Sequence, residues 1–362
     1  KKMTSNNRLF LDIHVIQTVP PANINRDDTG SPKTAQYGGV RRARVSSQAW
    51  KRAMRVYFNE HGAQDNVGVR TLDVPQYVAD EIIRINPGLS QEEALNIAEK
   101  TVNAANIKTQ NSKTKALFFI GSKQAKALAR EALQGTNDKD TLQAILKDNP
   151  AVDIALFGRM VADDPSLNED ASAQVAHAIS THAVQTEFDF FTAIDDLKPE
   201  DNAGAGMLGT IEFNSSTMYR YANVAVHELY RQLGNKEQTL NALKLFIESF
   251  ANSMPTGKSN TFANQTLPQA ILVVVRSDRP VNLVSAFEEP VKSSEGYVQQ
   301  SIEKLFLELK NVEKFVRAPV FAFYVTAYDV PDVDIGKVEN DVVDLLDDFN
   351  DAMDGLLTEK AE

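Results

Sequence analysis

The sequence has no cysteine in 362 residues, which excludes a disulfide scaffold and every thiolate metal site. It also lacks any apolar run long enough for a membrane span. The amino-terminal stretch KKMTSNNRLFLDIHVIQTVPP breaks its apolar residues with Asp12 and His14, so no secretory signal is expected and a soluble, cytoplasmic protein is. Acids are missing from one window: none occurs between Asp28 and Glu60, although the chain carries a formal charge of −11. With 43% apolar and 24% charged residues, the rest of the composition is that of an ordinary globular protein.

The acid-free window holds RRARVSSQAWKRAMR, with Arg41, Arg42, Arg44, Lys51, Arg52 and Arg55. Its second half reads as a helix that Ser46 or Ser47 caps. Trp50, Met54, Tyr57 and Phe58 recur at helical spacing and form one apolar face, while Gln48, Lys51, Arg52 and Arg55 share the other. Cations gathered at a helix start, with no neighbouring acids to neutralise them, favour a phosphate backbone. Such contacts fix register without reading bases. The opposite charge is concentrated from Glu339 onward, where nine acids face one base on the outside of an amphipathic helix.

Elsewhere, residues 8–17 read as a strand, and 75–150 as a helical insertion whose segment SQEEALNIAEK opens on a Ser90–Glu93 capping box. Residues 170–184 read as another helix, and TIEFNSSTMYRYANV, QAILVVVR and APVFAFYVTAY as strands. KEQTLNALKLFIESFANSM reads as a helix. Without the insertion the order is strand, helix, strands, helix, strand. That order predicts an α+β fold with a ferredoxin-like, RNA-recognition-type module, although the aromatic motif of RNA-recognition modules is absent.

Several motif matches fail on context. GAGMLG (204–209) fits the dinucleotide fingerprint, yet a polar loop precedes it and a strand follows, so it reads as a hairpin tip. PTGKSN lacks the earlier glycine of a phosphate loop, with Asn252 in its place. HELYR, from His227, has Arg231 where a zinc helix needs its second histidine. His177 and His182, five apart, share no helix face. Asp27 and Asp28 in RDD read either as loop salt bridges and caps or as ligands of Mg²⁺ for phosphodiester cleavage. In FDFFTAIDD, Phe190 and Phe191 precede the glycine-rich tip; they read either as core or as wedges that stack on bases.

LDIHVIQTVPPANINRDD, YGGVRRARVSSQAWKRAMR, VDIALFGRM, AHAISTHAV, FDFFTAIDDL, YRYANV and AFEEPVK, in that order, resemble the CasC family. These are the repeated backbone subunits of the type I-E CRISPR surveillance complex, Cascade. The resemblance runs from about residue 9 to about residue 300 and implies a right-hand shape. The palm is RNA-recognition-like (1–61, 171–184 and 215–362, the last ending in the acidic helix), the helical fingers span 62–170 and the β-hairpin thumb 185–214. It further implies a filament of copies along one CRISPR RNA, kinked at intervals by each thumb and presented to a target DNA strand. Sequence reading then belongs to the guide. The other Cascade subunits, CasA, CasB, CasD and CasE, are the implied partners.

Position by position, the resemblance puts Ser46, Gln48, Lys51 and Arg52 on RNA phosphates with Arg26, Lys33 and Arg55 close by. It puts Arg159 and Met160 at the kinked nucleotide, and Phe190, Phe191 and Thr192 on the thumb. Lys258 and Lys292 add nucleic-acid contacts, while Ser294 stands where the family can carry a further lysine. The expectation is a non-catalytic, cofactor-free RNA-binding protein. A metal-dependent RNA-guided endoribonuclease using Asp27 or Asp28, and a general single-strand binder, remain as alternatives.

Overall fold

Ile13, Val15, Ile16, Thr18 and Val19 make the middle of Phe10–Ala22 rich in β-branched residues, so this segment becomes a 13-residue strand, β1, and the sheet is built around it. A computed structural model describes residues 8–62, 67–161, 164–193 and 207–357. After β1 come the hairpin β2 (Thr34–Tyr37) and β3 (Val40–Val45), then α1 (Ser47–His61). The insertion contains β4 (Gly68–Thr71), α2 (Val74–Ile85), α3 (Gln91–Ala104), β5 (Thr109–Gln110), β6 (Lys113–Thr114) and β7 (Phe118–Gly121). It closes with α4 (Ser122–Gln134), α5 (Lys139–Lys147) and α6 (Val152–Phe157). Strands β8 (Ala173–Val175), β9 (Ala178–Ser180), β10 (Glu187–Ala193) and β11 (Met207–Ala225) lead to α7 (Val226–Leu233), α8 (Lys236–Asn252) and α9 (Ser259–Phe262). The chain finishes with β12 (Pro268–Arg276), α10 (Val298–Asn311), β13 (Phe321–Thr326), β14 (Lys337–Val338) and α11 (Val342–Leu356).

Among the described residues the main sheet runs β14-β13-β12-β1-β11-β9-β3-β2. Taking β1, α1, β9, β11, α8 and β12 as a unit, the strands lie in the order fourth, first, third, second, with antiparallel neighbours. That is the ferredoxin-like order, so the fold is α+β with an RNA-recognition-type palm. The helix expected over 170–184 does not form. Its alternation puts Ala173 and Val175 inward with Gln174 outward, and the long edge of β11 takes up β8 and β9 as ladder partners. The pairing groups of a strand 19 residues long outweigh a weak alanine preference for helix.

The sheet is covered on both faces. Ile271, Val273 and Val275 of β12 join Trp50, Met54 and Phe58 of α1, Phe246 and Phe250 of α8 and Phe349 of α11. Leu272 and Val274 point the other way, onto Phe287 and onto Ile302, Leu305 and Phe306 of α10. RNA-recognition modules bind RNA on an open sheet face. Here that face is occupied, which moves any nucleic-acid contact to the sheet's ends. The insertion has its own core, where Val78, Ala98, Leu128 and Leu142 come together.

The acidic terminal helix is less free than its sequence implies. Its apolar stripe Leu345, Phe349 and Met353 is buried, while Asp347 pairs with Lys244 (3.0 Å), Asp354 with Lys236 (2.9 Å) and Asp348 with Lys337. These surface pairs are each worth about 0–1 kcal/mol, so the stripe holds the helix and the charges set its register over α8. Among the described residues no helix is long and apolar enough to cross a membrane.

The second face of β1 buries a polar chain with a measurable consequence. His14 Nδ1 lies 2.9 Å from the Tyr219 hydroxyl, and its Nε2 has no protein partner. Burial lowers its pKa from 6.5 to about 3. Asp12, which accepts hydrogen bonds from Tyr221 and from the Val281 amide, is pushed by burial from 3.8 to about 7. Between pH 6.5 and about 4 the unfolded chain binds the extra proton at His14 and the folded chain binds it at Asp12, so the two pH slopes oppose. A His14→Gln variant keeps only the Asp12 slope. Thermal melting from pH 7 to pH 4 should show that variant gaining stability on acidification relative to the wild type; parallel curves would contradict the assignment.

Candidate nucleic-acid interface

The start of α1 is assembled from three segments. Ser46 takes the extended cap conformation, and its hydroxyl accepts from the Ala49 amide at 3.3 Å. Its own amide donates to Asn25 Oδ1 at 2.8 Å, which fastens the loop after β1 to the helix start. The Lys33 amide then donates to Asn25 O and the Arg44 amide to Lys33 O, both at 2.9 Å. Lys33, Arg44 and the first turn of α1 are thereby held side by side. Ser46 is buried and caps the helix, so its hydroxyl belongs to the cap and not to a phosphate.

Over the first three turns of α1 the exposed positions are Gln48, Arg52 and Val56, and Asn59, Glu60 and His61 are exposed at its end. Lys51 is half-buried with its ammonium 5.8 Å from the Phe157 ring centre, and burial lowers its pKa. Arg55 faces the insertion: its Nε is 3.2 Å from buried Asp153, and its guanidinium is 4.3 Å from the Phe119 ring. Asp153 also accepts from the Gly68 amide at 2.8 Å, so Arg55 joins the palm helix to the fingers. Beside Arg52 lies a groove of about 370 Å³, whose far wall is Ser253, Met254, Pro255 and Thr256. Gly257 approaches the Ile24 carbonyl so closely that an added Cβ would sit 2.2 Å from its oxygen. That contact fixes the next residue, Lys258, in a left-handed conformation (φ 53°) on the same end of the sheet. Arg26 and Arg41 are exposed there too.

Besides Arg55, which was expected beside the RNA phosphates and is engaged with Asp153, two arginines expected on RNA are placed elsewhere. Arg42 is fully buried; its guanidinium donates to the carbonyls of Tyr37 (3.1 Å), Ser180 (2.9 Å) and Phe287 (2.7 Å). Arg159 is 4% exposed and donates to Leu167 O (3.0 Å), Phe119 O (3.2 Å) and Leu146 O (2.8 Å). Both spend their donors on backbone carbonyls, which corrects the expectation of Arg42 on a phosphate and of Arg159 at the kinked nucleotide. Met160, next to Arg159, is 77% exposed. Lys292 is exposed on a separate loop tied to the end of β9 by the Val291 amide and Thr181 O (2.9 Å).

The hairpin of β10 and β11 projects past the end of β1, whose last partner on β11 is Asn214. Phe190 pairs with Thr210, and Phe188 with Glu212, so both rings stand on one face with Leu208. All three are bare, at 67% for Phe188, 65% for Phe190 and 62% for Leu208. Thr192 is exposed beside them, whereas Phe191 points to the other face and packs over Gly209. Of the tip expected at GAGMLG (204–209), residues 207–209 belong to β11, and 194–206 lie outside the described residues.

Phe188 and Leu208 were missed in the sequence, although the alternation in FDFF puts 188 and 190 on one side. His177 was missed as well: its Nδ1 lies 3.0 Å from Arg44 Nη1, and burial with the charges of Arg44 and Lys33 lowers its pKa. Of the two loop acids, Asp27 Oδ1 accepts from the Thr29 hydroxyl and from the amides of Thr29 and Ser31. These bonds, the hydroxyl first, lower its pKa and make it a turn residue. Asp28 is exposed beside it. Among the described residues no three His, Asp or Glu side chains are grouped to hold a metal ion.

The fold recurs in solved structures. A chain of a CRISPR RNA-guided surveillance complex, pre-nicking, is 32% identical and superposes with a TM-score of 0.83 over 95% of this chain and 99% of that one. A chain of another CRISPR RNA-guided surveillance complex is 30% identical, with a TM-score of 0.65 and the same coverage. No curated protein matches the sequence significantly. The model of the CT1975-like protein family matches residues 11–350, and with this span, the ferredoxin-like palm and the two structural likenesses, the chain belongs to that family.

Proposed function

We propose that the chain is a non-catalytic, CRISPR-RNA-binding backbone subunit of a Cascade-type surveillance complex, the role that the CasC resemblance implies for type I-E systems. Copies line one guide RNA, and each presents its segment to a target DNA strand alongside the other subunits. The observation that carries this reading is a convergence at one end of the palm. There the cations Arg26, Lys33, Arg44, Arg52 and Lys258 meet a hairpin whose exposed rings face out. Cations track phosphates, and bare rings stack on any base, so binding is electrostatic and tolerant of sequence. The guide supplies the specificity. The likeness to chains of CRISPR RNA-guided surveillance complexes supports the same reading. The engagement of Asp27 in its own turn favours a structural role for that loop over a metal site.

The test is to express the chain with its neighbouring genes and sequence the RNA that co-purifies. Uniform short RNAs of repeat–spacer type are expected. Heterogeneous RNA would favour a general single-strand binder, and Mg²⁺-dependent cleavage of target RNA lost in Asp28→Ala would make the protein an endoribonuclease.

A further inference from the structure

The opposite end of the sheet carries a second basic surface. β1 spans 13 residues, roughly 40 Å at the usual strand rise. At its start Phe10 pairs with Arg276 and with Ala225, whereas the hairpin lies beyond its finish, and the loop that follows its finish holds the α1 start through Asn25. Arg8 enters just before this pair, its guanidinium 5.5 Å from the Phe10 ring. The chain leaving β12 carries Asp278 and Arg279, and the segment between α10 and β13 brings Lys314, Phe315 and Arg317 alongside. One carboxylate binds the two loops together: Asp278 accepts from the amides of Arg279 (2.8 Å) and Arg317 (3.0 Å). Arg276 Nη1 donates to Arg317 O at 3.1 Å, and the Val320 amide to Val275 O at 2.7 Å. The backbone of the patch is thus fixed by the fold.

Its side chains make few contacts in the fold: Arg8 lies against the Phe10 ring, and Arg279 Nε donates to the Pro280 carbonyl at 3.4 Å. Arg8, Arg279, Lys314 and Arg317 are exposed, and none forms an ion pair among the described residues. Phe315 is 87% exposed, the barest large apolar side chain described. Scattered exposed apolar residues are ordinary. A bare ring between the exposed cations Lys314 and Arg317, on loops that also carry Arg279 and lie beside the strand that Arg8 enters, is a different matter on a chain of net charge −11. The ring offers a π face, and the cations require an anion beside it.

We propose that this surface is a second nucleic-acid site, separate from the guide track, which takes a single strand. Phe315 stacks on an unpaired base while Arg8, Arg279, Lys314 and Arg317 hold the flanking phosphates. A duplex presents no free base face, so the ring selects single strands. The same chemistry is offered by RNA and by unpaired DNA.

The chain is purified as expressed, with whatever RNA it carries, and titrated with fluorescein-labelled oligo-dT and oligo-U at several salt concentrations. Phe315→Ala should weaken binding about tenfold, the size of one lost base stack. Lys314→Ala with Arg317→Ala should lower the slope of log K against log salt by about 1.4, at roughly 0.7 per phosphate. Melting temperature and co-purified RNA should match the wild type, since these side chains lie outside the core. Preference between the two oligonucleotides identifies the strand. Unchanged binding in both variants would overturn the proposal. So would the loss of a protein partner from the assembled complex with oligonucleotide binding intact, because the patch would then be a protein contact. A chain that carries no guide RNA but binds oligonucleotides through Phe315 would keep this inference while the backbone-subunit reading failed.

Discussion

Replacing Lys51 and Arg52 together by alanine is expected to weaken guide-RNA binding about tenfold to a hundredfold and to flatten its salt dependence. Each phosphate contact on a single strand contributes roughly 0.7 to the slope of log K against log salt, so two lost contacts lower it by about 1.4. Arg52 stands on the exposed line of α1 and forms one wall of the groove opposite Ser253 and Thr256. Lys51 flanks it, with its ammonium over the Phe157 ring, and burial has already weakened its hold on the proton. A neighbouring phosphate would reverse that shift, which makes Lys51 a cation that gains most when an anion arrives. Arg55→Ala is the control. That side chain is engaged with buried Asp153, and its removal should cost stability at the palm–finger junction while leaving the salt slope unchanged. A double variant with the wild-type slope would remove α1 from the phosphate track.

Local information carried much of this site. The spacing of Trp50, Met54 and Phe58 announces the buried face of α1, and the cap at Ser46 and the basic line through Arg52 follow from the same turns. The order of palm elements was legible for the same reason: each strand and helix has its own period. What failed depended on distant partners. Arg42 lies in the basic run, but its acceptors at Ser180 and Phe287 are 138 and 245 residues away. Charge is written in the sequence and the carbonyls that absorb it are not. The stretch 170–184 has an alanine-rich helical pattern, and only the unpaired edges of β11 turn it into two short strands. His177 came to Arg44 through that change, so the error in secondary structure also hid a residue of the interface. The acidic helix shows the reverse case. Its charges read as a free outer surface, yet three of them meet Lys236, Lys244 and Lys337, on segments remote or adjacent in sequence.

Arg159→Ala is expected to cost about 3–4 kcal/mol of stability by denaturant unfolding, with RNA affinity per folded molecule little changed. The guanidinium bridges three elements, donating to Leu146 O at the end of α5, Phe119 O in β7 and Leu167 O in the turn that follows α6. It also lies 5.1 Å from the Phe118 ring. Burial lowers its pKa to about 10, which leaves it charged at neutral pH. Truncation takes the guanidinium away from Leu167 O and Phe119 O, leaves Leu146 O with the Gln124 side-chain amide alone (2.7 Å), and opens a cavity; each group left unsatisfied costs about 1–3 kcal/mol less whatever solvent recovers. Arg159→Lys should not restore the loss, because one ammonium cannot reach acceptors that a planar fork spans. Met160→Ala supplies the contrast. At 77% exposure its removal should change stability by no more than about 0.5 kcal/mol, and any effect should fall on RNA. Adjacent residues in one short motif then divide the work: the arginine builds the shelf from inside, and the methionine stands on it. An Arg159→Ala protein of wild-type stability that had lost its RNA would reverse that division and return the arginine to the kinked nucleotide.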